Sequence, residues 1–256
     1  MIERVRIADI MTPADEVIFY DPAMEEKLRQ FCKERAISYL PSSEESDTRC
    51  FQYQRNKNSF HLIPIGDLKI DTDVDVFSGQ ALVQFEDHKV LFVYHHGEFC
   101  GVVHFSDYNK DVINIYLYTL ISKYEKSIRE LLRKSSLENS DMGKFFELNK
   151  FNGRINNYNK PSKRKILASK PHFDQFYIDD LIGLLNHKIE DINLDLDVKE
   201  LRNSIMHSNE TINKDQEGGG LIFDINQFST FFRRVTSLKK DTRKVRTRLQ
   251  LLSLEK

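Results

Sequence analysis

From Asp111 to Lys134 apolar residues recur at spacings of three and four: Ile115, Leu117, Leu120, Ile121, Tyr124, Ile128, Leu131 and Leu132. That spacing follows the turn of an α-helix and predicts one long amphipathic helix. The same reading predicts helices over Gln175–Glu190, Leu196–His207 and Ile225–Leu252, so the chain beyond residue 110 reads as almost entirely helical. Between Leu137 and Pro171 the polar stretch NKFNGRINNYNKPSKRK reads as a loop or irregular region. NETINKDQEGGG, with its three consecutive glycines, reads as a flexible turn before the last helix.

Residues 1–110 instead alternate strand and helix signals. EVIFY reads as extended and leads into a helix, DPAMEEKLRQFCKERA, with Asp21 as N-cap and Pro22 at its first position. KVLFVYHHG and EFCGVVHF are two short apolar runs joined by a His-His-Gly-Glu turn, which predicts a β-hairpin. ALVQFED before them continues a helical pattern. The chain has no internal repeat of the solenoid kind.

Charge divides the chain at the same place. The net charge of −1 combines −7 over residues 1–110 with +6 over residues 111–256. A basic half suits phosphate backbones and an acidic half does not. With 40% hydrophobic and 30% charged residues the chain reads as globular, not disordered or membrane-embedded. No apolar run approaches the ~20 residues that span a bilayer. MIERVRIADI lacks the apolar core of a secretory signal. Cys32, Cys50 and Cys100 are odd in number and widely spaced, which suits a reducing cytoplasm and forms no metal-ligand pattern.

The chemistry concentrates in ELRNSIMHSN. On a helix, Leu194, Val198, Leu201 and Ile205 fall within about 60° and form the core stripe. Asn203 and His207, spaced i, i+4, share a face roughly opposite, and Arg202 flanks it. A histidine there can take a proton from a ribose 2′-hydroxyl or give one to the leaving 5′-oxygen. Arg202 can hold phosphoryl oxygens and stabilise their charge. Asn203 can orient either partner by hydrogen bonds, and none of the usual metal-ligand spacings is present. Basic clusters that could grip RNA are Lys163, Arg164 and Lys165 in the polar stretch, and Arg233 and Arg234 with further Lys and Arg residues along the last helix. The aromatics Phe145, Phe146, Phe151, Tyr158, Phe173, Phe176 and Tyr177 are candidates to stack unpaired bases, against an ordinary core role.

LRNSIMHS resembles the R-x(4–6)-H motif of HEPN (higher eukaryotes and prokaryotes nucleotide-binding) domains, and NIYLYTLISKYEKSIRELLRK resembles their first long helix, with the acidic Glu125 after Tyr124. The resemblance covers roughly residues 111–256 and implies an all-α bundle. It also implies a homodimer whose two motif helices face one cleft, with Arg202, Asn203 and His207 catalytic and Glu125 a weaker candidate. Upstream, VRIADIMTPADEVIFY and GVVHFSDYN resemble the opening and the end of a tandem cystathionine β-synthase (CBS) domain pair. That likeness implies an adenine nucleotide as regulatory ligand, with Asp107 on its ribose and His104 toward its phosphate. The first repeat lacks its usual closing motif.

The expected architecture is therefore an α/β (α+β) CBS pair over residues 1–110, followed by an all-α HEPN bundle over residues 111–256. The expected activity is a ligand-regulated, metal-independent cytoplasmic endoribonuclease that cleaves single-stranded RNA to a 2′,3′-cyclic phosphate. It needs no catalytic cofactor and no membrane, and suits a prokaryotic defence or stress effector. The alternative is a non-catalytic nucleotide-sensing module whose helical half binds RNA or a partner protein. A phosphate-transfer enzyme is disfavoured, because the triple glycine at 218–220 lacks the Lys-Ser/Thr of a P-loop.

Overall fold

The computed structural model describes residues 4–43, 48–206, 222 and 224–254. They fall into two compact units, delimited by residues 1–116 with 220–232, and by residues 117–219 with 233–256.

The first unit runs α1 (Ile7–Ile10), β1 (Thr12–Pro13), α2 (Glu25–Glu34), β2 (Tyr39–Pro41), β3 (Arg49–Gln54), β4 (Ser59–Pro64), β5 (Lys69–Asp71), α3 (Gly79–Asp87), β6 (Val90–His95) and β7 (Glu98–His104). Asp21 caps a single 3₁₀ turn, Pro22–Met24, through a bond from the Ala23 amide at 2.8 Å, and α2 follows that turn directly. The predicted hairpin is β6–β7, paired antiparallel from Val90↔His104 to His95↔Glu98. Its apolar strand residues Leu91, Phe92 and Val93 are fully buried, as a central strand requires. β5 joins β6 in parallel through α3, and β1 pairs with the other edge of β7, giving the order β1-β7-β6-β5. Gly101 permits the last pairing, since a Cβ there would lie 2.1 Å from the Thr12 carbonyl oxygen.

These strands correct the expectation of a CBS pair. Two copies of one repeat would build two sheets of like order. Instead, β2-β3-β4 is a separate, purely antiparallel sheet, while the other is mixed. EVIFY contributes no strand; its one ladder contact is an isolated parallel bridge, Tyr20↔Ser42. Side-chain packing accounts for that segment. The Tyr20 ring stacks on Phe51 with centroids 3.7 Å apart, and its hydroxyl donates to Glu25 at 2.9 Å. α2 closes over the antiparallel sheet, burying Leu28 and Cys32 against Leu40 and Tyr53. The unit also holds an aromatic cluster in which Tyr108 meets Phe77, Phe85 and Phe228, and Phe85 meets Phe228.

The second unit takes most of α4 (Asp111–Lys134), then α5 (Asn139–Leu148), α6 (Asn152–Tyr158), α7 (Pro161–Ser169), α8 (Ile178–Lys188), α9 (Val198–Met206) and most of α10 (Ile225–Leu254). The long helix has the predicted bounds, and Leu117, Ile121, Tyr124, Ile128, Leu131 and Leu132 are buried, while Ile115 is exposed. The stripe Leu194, Val198, Leu201 and Ile205 is also buried.

The predicted loop from Leu137 to Pro171 is instead three short helices. Asparagine is a poor helix former, but packing overrides propensity here. Asn139 holds the segment together: its Nδ2 donates to the Leu167 carbonyl at 3.1 Å, its Oδ1 accepts from the Phe173 amide at 2.9 Å, and its carbonyl accepts from the Tyr158 hydroxyl at 3.0 Å. Asp141 accepts from the Glu138 amide at the start of α5, and Pro161 opens α7.

Candidate functional site

Arg202 projects from α9, whose opposite stripe is locked into the core. Its Nε lies 3.0 Å from Oε1 of Glu125 on α4. The second oxygen of Glu125 lies 3.3 Å from Arg129, one turn further along the same helix. Arg129 donates in turn to the Phe173 carbonyl at 3.3 Å and to the Phe176 carbonyl at 3.5 Å. One carboxylate thus serves two guanidinium groups. Glu125 and Arg129 are 18% and 17% exposed, while Arg202 keeps 31%. Among the described residues the terminal Nη groups of Arg202 make no hydrogen bond, so a fork of donors remains open beside a net positive charge.

Asn203 follows Arg202 on α9 and is half-buried. His207, the third member of the motif, lies outside the described residues, as does the triple glycine at 218–220.

The basic candidates separate once their partners are known. Lys163 donates to the Gln175 carbonyl at 3.0 Å and sits 6.0 Å from the Phe176 ring, so it is part of the packing rather than a free cation. Arg164 and Lys165 are exposed on α7, and Arg164 donates to Asn159. Arg233 is exposed on α10, whereas Arg234 is half-buried with its Nε unpartnered. The aromatics separate too: Phe145, Phe146, Phe173 and Phe176 are core, Tyr158 is half-buried, and Phe151 and Tyr177 are exposed.

Two features escaped the sequence reading. The first is an acid pair at the start of α8. Arg154 reaches both Asp179 and Asp180 at 3.1 Å, and Lys199 of α9 reaches Asp179 at 3.2 Å. Burial pushes the Asp180 carboxyl up to about 6; Arg154 opposes the shift and the charge of Asp179 adds to it. The second is a set of potential metal ligands, Asp71, Asp73 and His95, with ligand atoms within 4.8 Å of one another. The parallel register of β5 on β6 creates it, so no spacing in the sequence announces it. Arg6 already pairs with Asp73 at 2.7 Å, and all three groups are exposed.

In the first unit, His104 and Asp107 form a reciprocal cap on the 3₁₀ helix Phe105–Asn109. Asp107 accepts from the His104 amide at 2.7 Å and pairs with Lys110 at 3.2 Å. Burial, with help from Lys89, lowers the His104 pKa against the pull of Asp107; the ring Nδ1 faces the Ser106 amide at 3.2 Å. A neutral imidazole accepting that bond is the state this environment favours. Both residues line a cavity of about 910 Å³ that also exposes Arg35, Arg55 and Lys89.

No family model, no curated protein and no solved structure matches the chain. No helix among the described residues is long and apolar enough to cross a membrane.

Proposed function

We propose that the protein is a metal-independent endoribonuclease of the HEPN type. The observation that carries this reading is the anchoring of Arg202 by Glu125. The motif arginine is held by one nitrogen while its other donors stay open, as a phosphate clamp needs. In the proposed reaction the ribose 2′-oxygen bonds to phosphorus as its proton passes to a general base. The P–O5′ bond breaks, and the 5′-oxygen takes a proton from a general acid. His207 supplies one of these roles. In a homodimer the partner's His207 supplies the other, with Asn203 orienting the phosphate. Arg164, Lys165 and Arg233 extend the electrostatic grip on the strand. The regulatory adenine nucleotide of this reading would occupy the 910 Å³ cavity of the first unit, where Arg35, Arg55 and Lys89 offer charge for its phosphates. Among the described residues Cys32, Cys50 and Cys100 form no disulfide, which suits action in the cytoplasm.

The decisive experiment incubates the protein with mixed single-stranded RNA and DNA in EDTA. Cleavage of RNA alone, ending in 2′,3′-cyclic phosphate, is expected. Loss of about 10²–10⁴ in rate is expected for His207→Ala, and of about 10²–10³ for Arg202→Ala. DNA cleavage at a similar rate, inactivity in EDTA or a fully active His207→Ala protein would overturn the reading. The second reading, a non-catalytic module that binds RNA or a partner protein, is favoured by the same ion pair, since Glu125 already engages Arg202. RNA binding without cleavage would select it.

A further inference from the structure

The second unit contains a cavity of about 680 Å³ between the start of α6 and the start of α8. Of its three aromatic lining residues, Phe145 is buried and two are exposed. Tyr177 is 60% exposed, with the Arg154 guanidinium over one face, 4.7 Å from the ring centroid. Phe151 is 45% exposed, and its ring meets Phe145 edge-on at 5.9 Å. The neighbouring phenylalanines of this unit are buried, whereas these two rings face solvent. A Cβ added at Gly153 would meet no atom within 4 Å, so the rim beside Phe151 is unobstructed.

The polar groups of the cavity have a definite sense. Asp180 is 7% exposed, and it and Asp179 share Arg154. Ionised carboxylates only accept hydrogen bonds. Arg154 and Lys199 both meet Oδ2 of Asp179, which leaves its Oδ1 unengaged among the described residues, while Asp180 meets Arg154 through Oδ1 and accepts from the Tyr177 amide at 3.4 Å through Oδ2. Asn152 and Asn157 are exposed, and their side-chain amides make no hydrogen bond among the described residues. A planar ligand with π faces and an N–H donor edge meets both requirements: its faces stack on the rings and its edge meets the carboxylates.

We propose that this cavity binds an unpaired nucleobase bearing an exocyclic amine, stacked on Tyr177 and Phe151 with the amine donating to the Asp179–Asp180 pair. Adenine, cytosine and guanine qualify. Uracil presents carbonyl oxygens on either side of its single imide donor and is repelled by the acids. The position suits a strand running past the clamp. Lys199, which holds Asp179, and Arg202 lie three residues apart on α9, a rise of about 4.5 Å. The choice of a nucleic acid as source of the base rests on the nuclease reading.

The chain has no tryptophan, so Tyr177→Trp in the full-length protein introduces a single indole that still stacks. Its fluorescence is titrated with AMP, CMP, GMP, UMP and ribose 5-phosphate. Saturable quenching by AMP, CMP and GMP is expected, with UMP weaker by about tenfold for the lost charged hydrogen bond. Ribose 5-phosphate should not quench. Adding Phe151→Ala should weaken binding by about tenfold, the loss of one stacking partner. Calorimetry of the protein without the Trp substitution uses CMP, which the adenine-nucleotide cavity proposed for the first unit does not call for, and its heat should weaken with Phe151→Ala. No binding of any nucleotide, equal binding of ribose 5-phosphate, or indifference to Phe151→Ala overturns the proposal; so does capture of an aromatic peptide in place of every nucleotide. Arg202→Ala separates the two readings, because it should slow cleavage by about 10²–10³ and leave quenching intact. Base-dependent quenching in a protein that never cleaves RNA keeps the pocket and removes the nuclease. Cleavage without base-dependent quenching removes the pocket alone.

Discussion

Arg202 and Glu125 stand 77 positions apart in the chain, yet Nε and Oε1 meet at 3.0 Å. The pair ties α9 to α4. Glu125→Ala leaves Arg202 and Arg129 facing each other without their shared carboxylate. Charge-assisted bonds of this partly buried kind contribute about 1.5–3 kcal/mol. Urea unfolding should therefore show a loss in that range, with Glu125→Gln intermediate. An unchanged midpoint would mean that solvent screens the pair fully.

Asn139→Ala removes the bonds to the Leu167 carbonyl and the Phe173 amide, both buried. Two orphaned backbone groups cost about 1–3 kcal/mol each. Tyr158→Phe removes only its bond to the Asn139 carbonyl and should cost about 1 kcal/mol. Thermal melts of the two variants test this ranking, and a larger loss in Tyr158→Phe would refute it.

Gly101→Ala puts a Cβ against the backbone of β1, which cannot move aside as a side chain can. A loss of about 1–3 kcal/mol is expected. At Gly79, in the first turn of α3, a Cβ meets nothing within 4 Å. Gly79→Ala should be neutral or stabilise by about 0.4–1 kcal/mol through the unfolded chain. Equal melting temperatures for the two variants would contradict the packing at β1.

Asp180 gives a pH dependence of known sign. Its carboxyl is raised from 3.8 to about 6 in the folded state, so the folded protein binds this proton more tightly than the unfolded chain. Its contribution to stability is present at low pH and is lost as pH rises from 3.8 to about 6. Asp180→Asn cannot titrate. The stability of the natural protein relative to that variant should therefore fall as pH rises from 3.8 to about 6. Chemical denaturation of both proteins at each pH reads the difference; a relative gain over the same interval would reverse the assignment.

Helical periodicity alone determined α4, α8, α9 and α10 to within a few residues, because one buried stripe per helix leaves a 3.6-residue record in the chain. The β6–β7 hairpin was equally legible, since its strands and turn are local in sequence. The buried stripe of α9 also fixed which side of that helix carries Arg202 and Asn203. What was not legible depended on distant partners. EVIFY has the composition of a strand, but Tyr20 finds Phe51 and Glu25, and the chain there forms one bridge instead of a ladder. The asparagine-rich stretch has the composition of a loop, but Asn139 and the buried phenylalanines turn it into three helices. Lys163 looked free and is packed, while the Asp179–Asp180 pair gave no signal until Arg154 and Lys199 were brought to it. Sequence carries the period of a face; only the fold decides what that face meets, because contact energies depend on neighbours that the chain order does not encode.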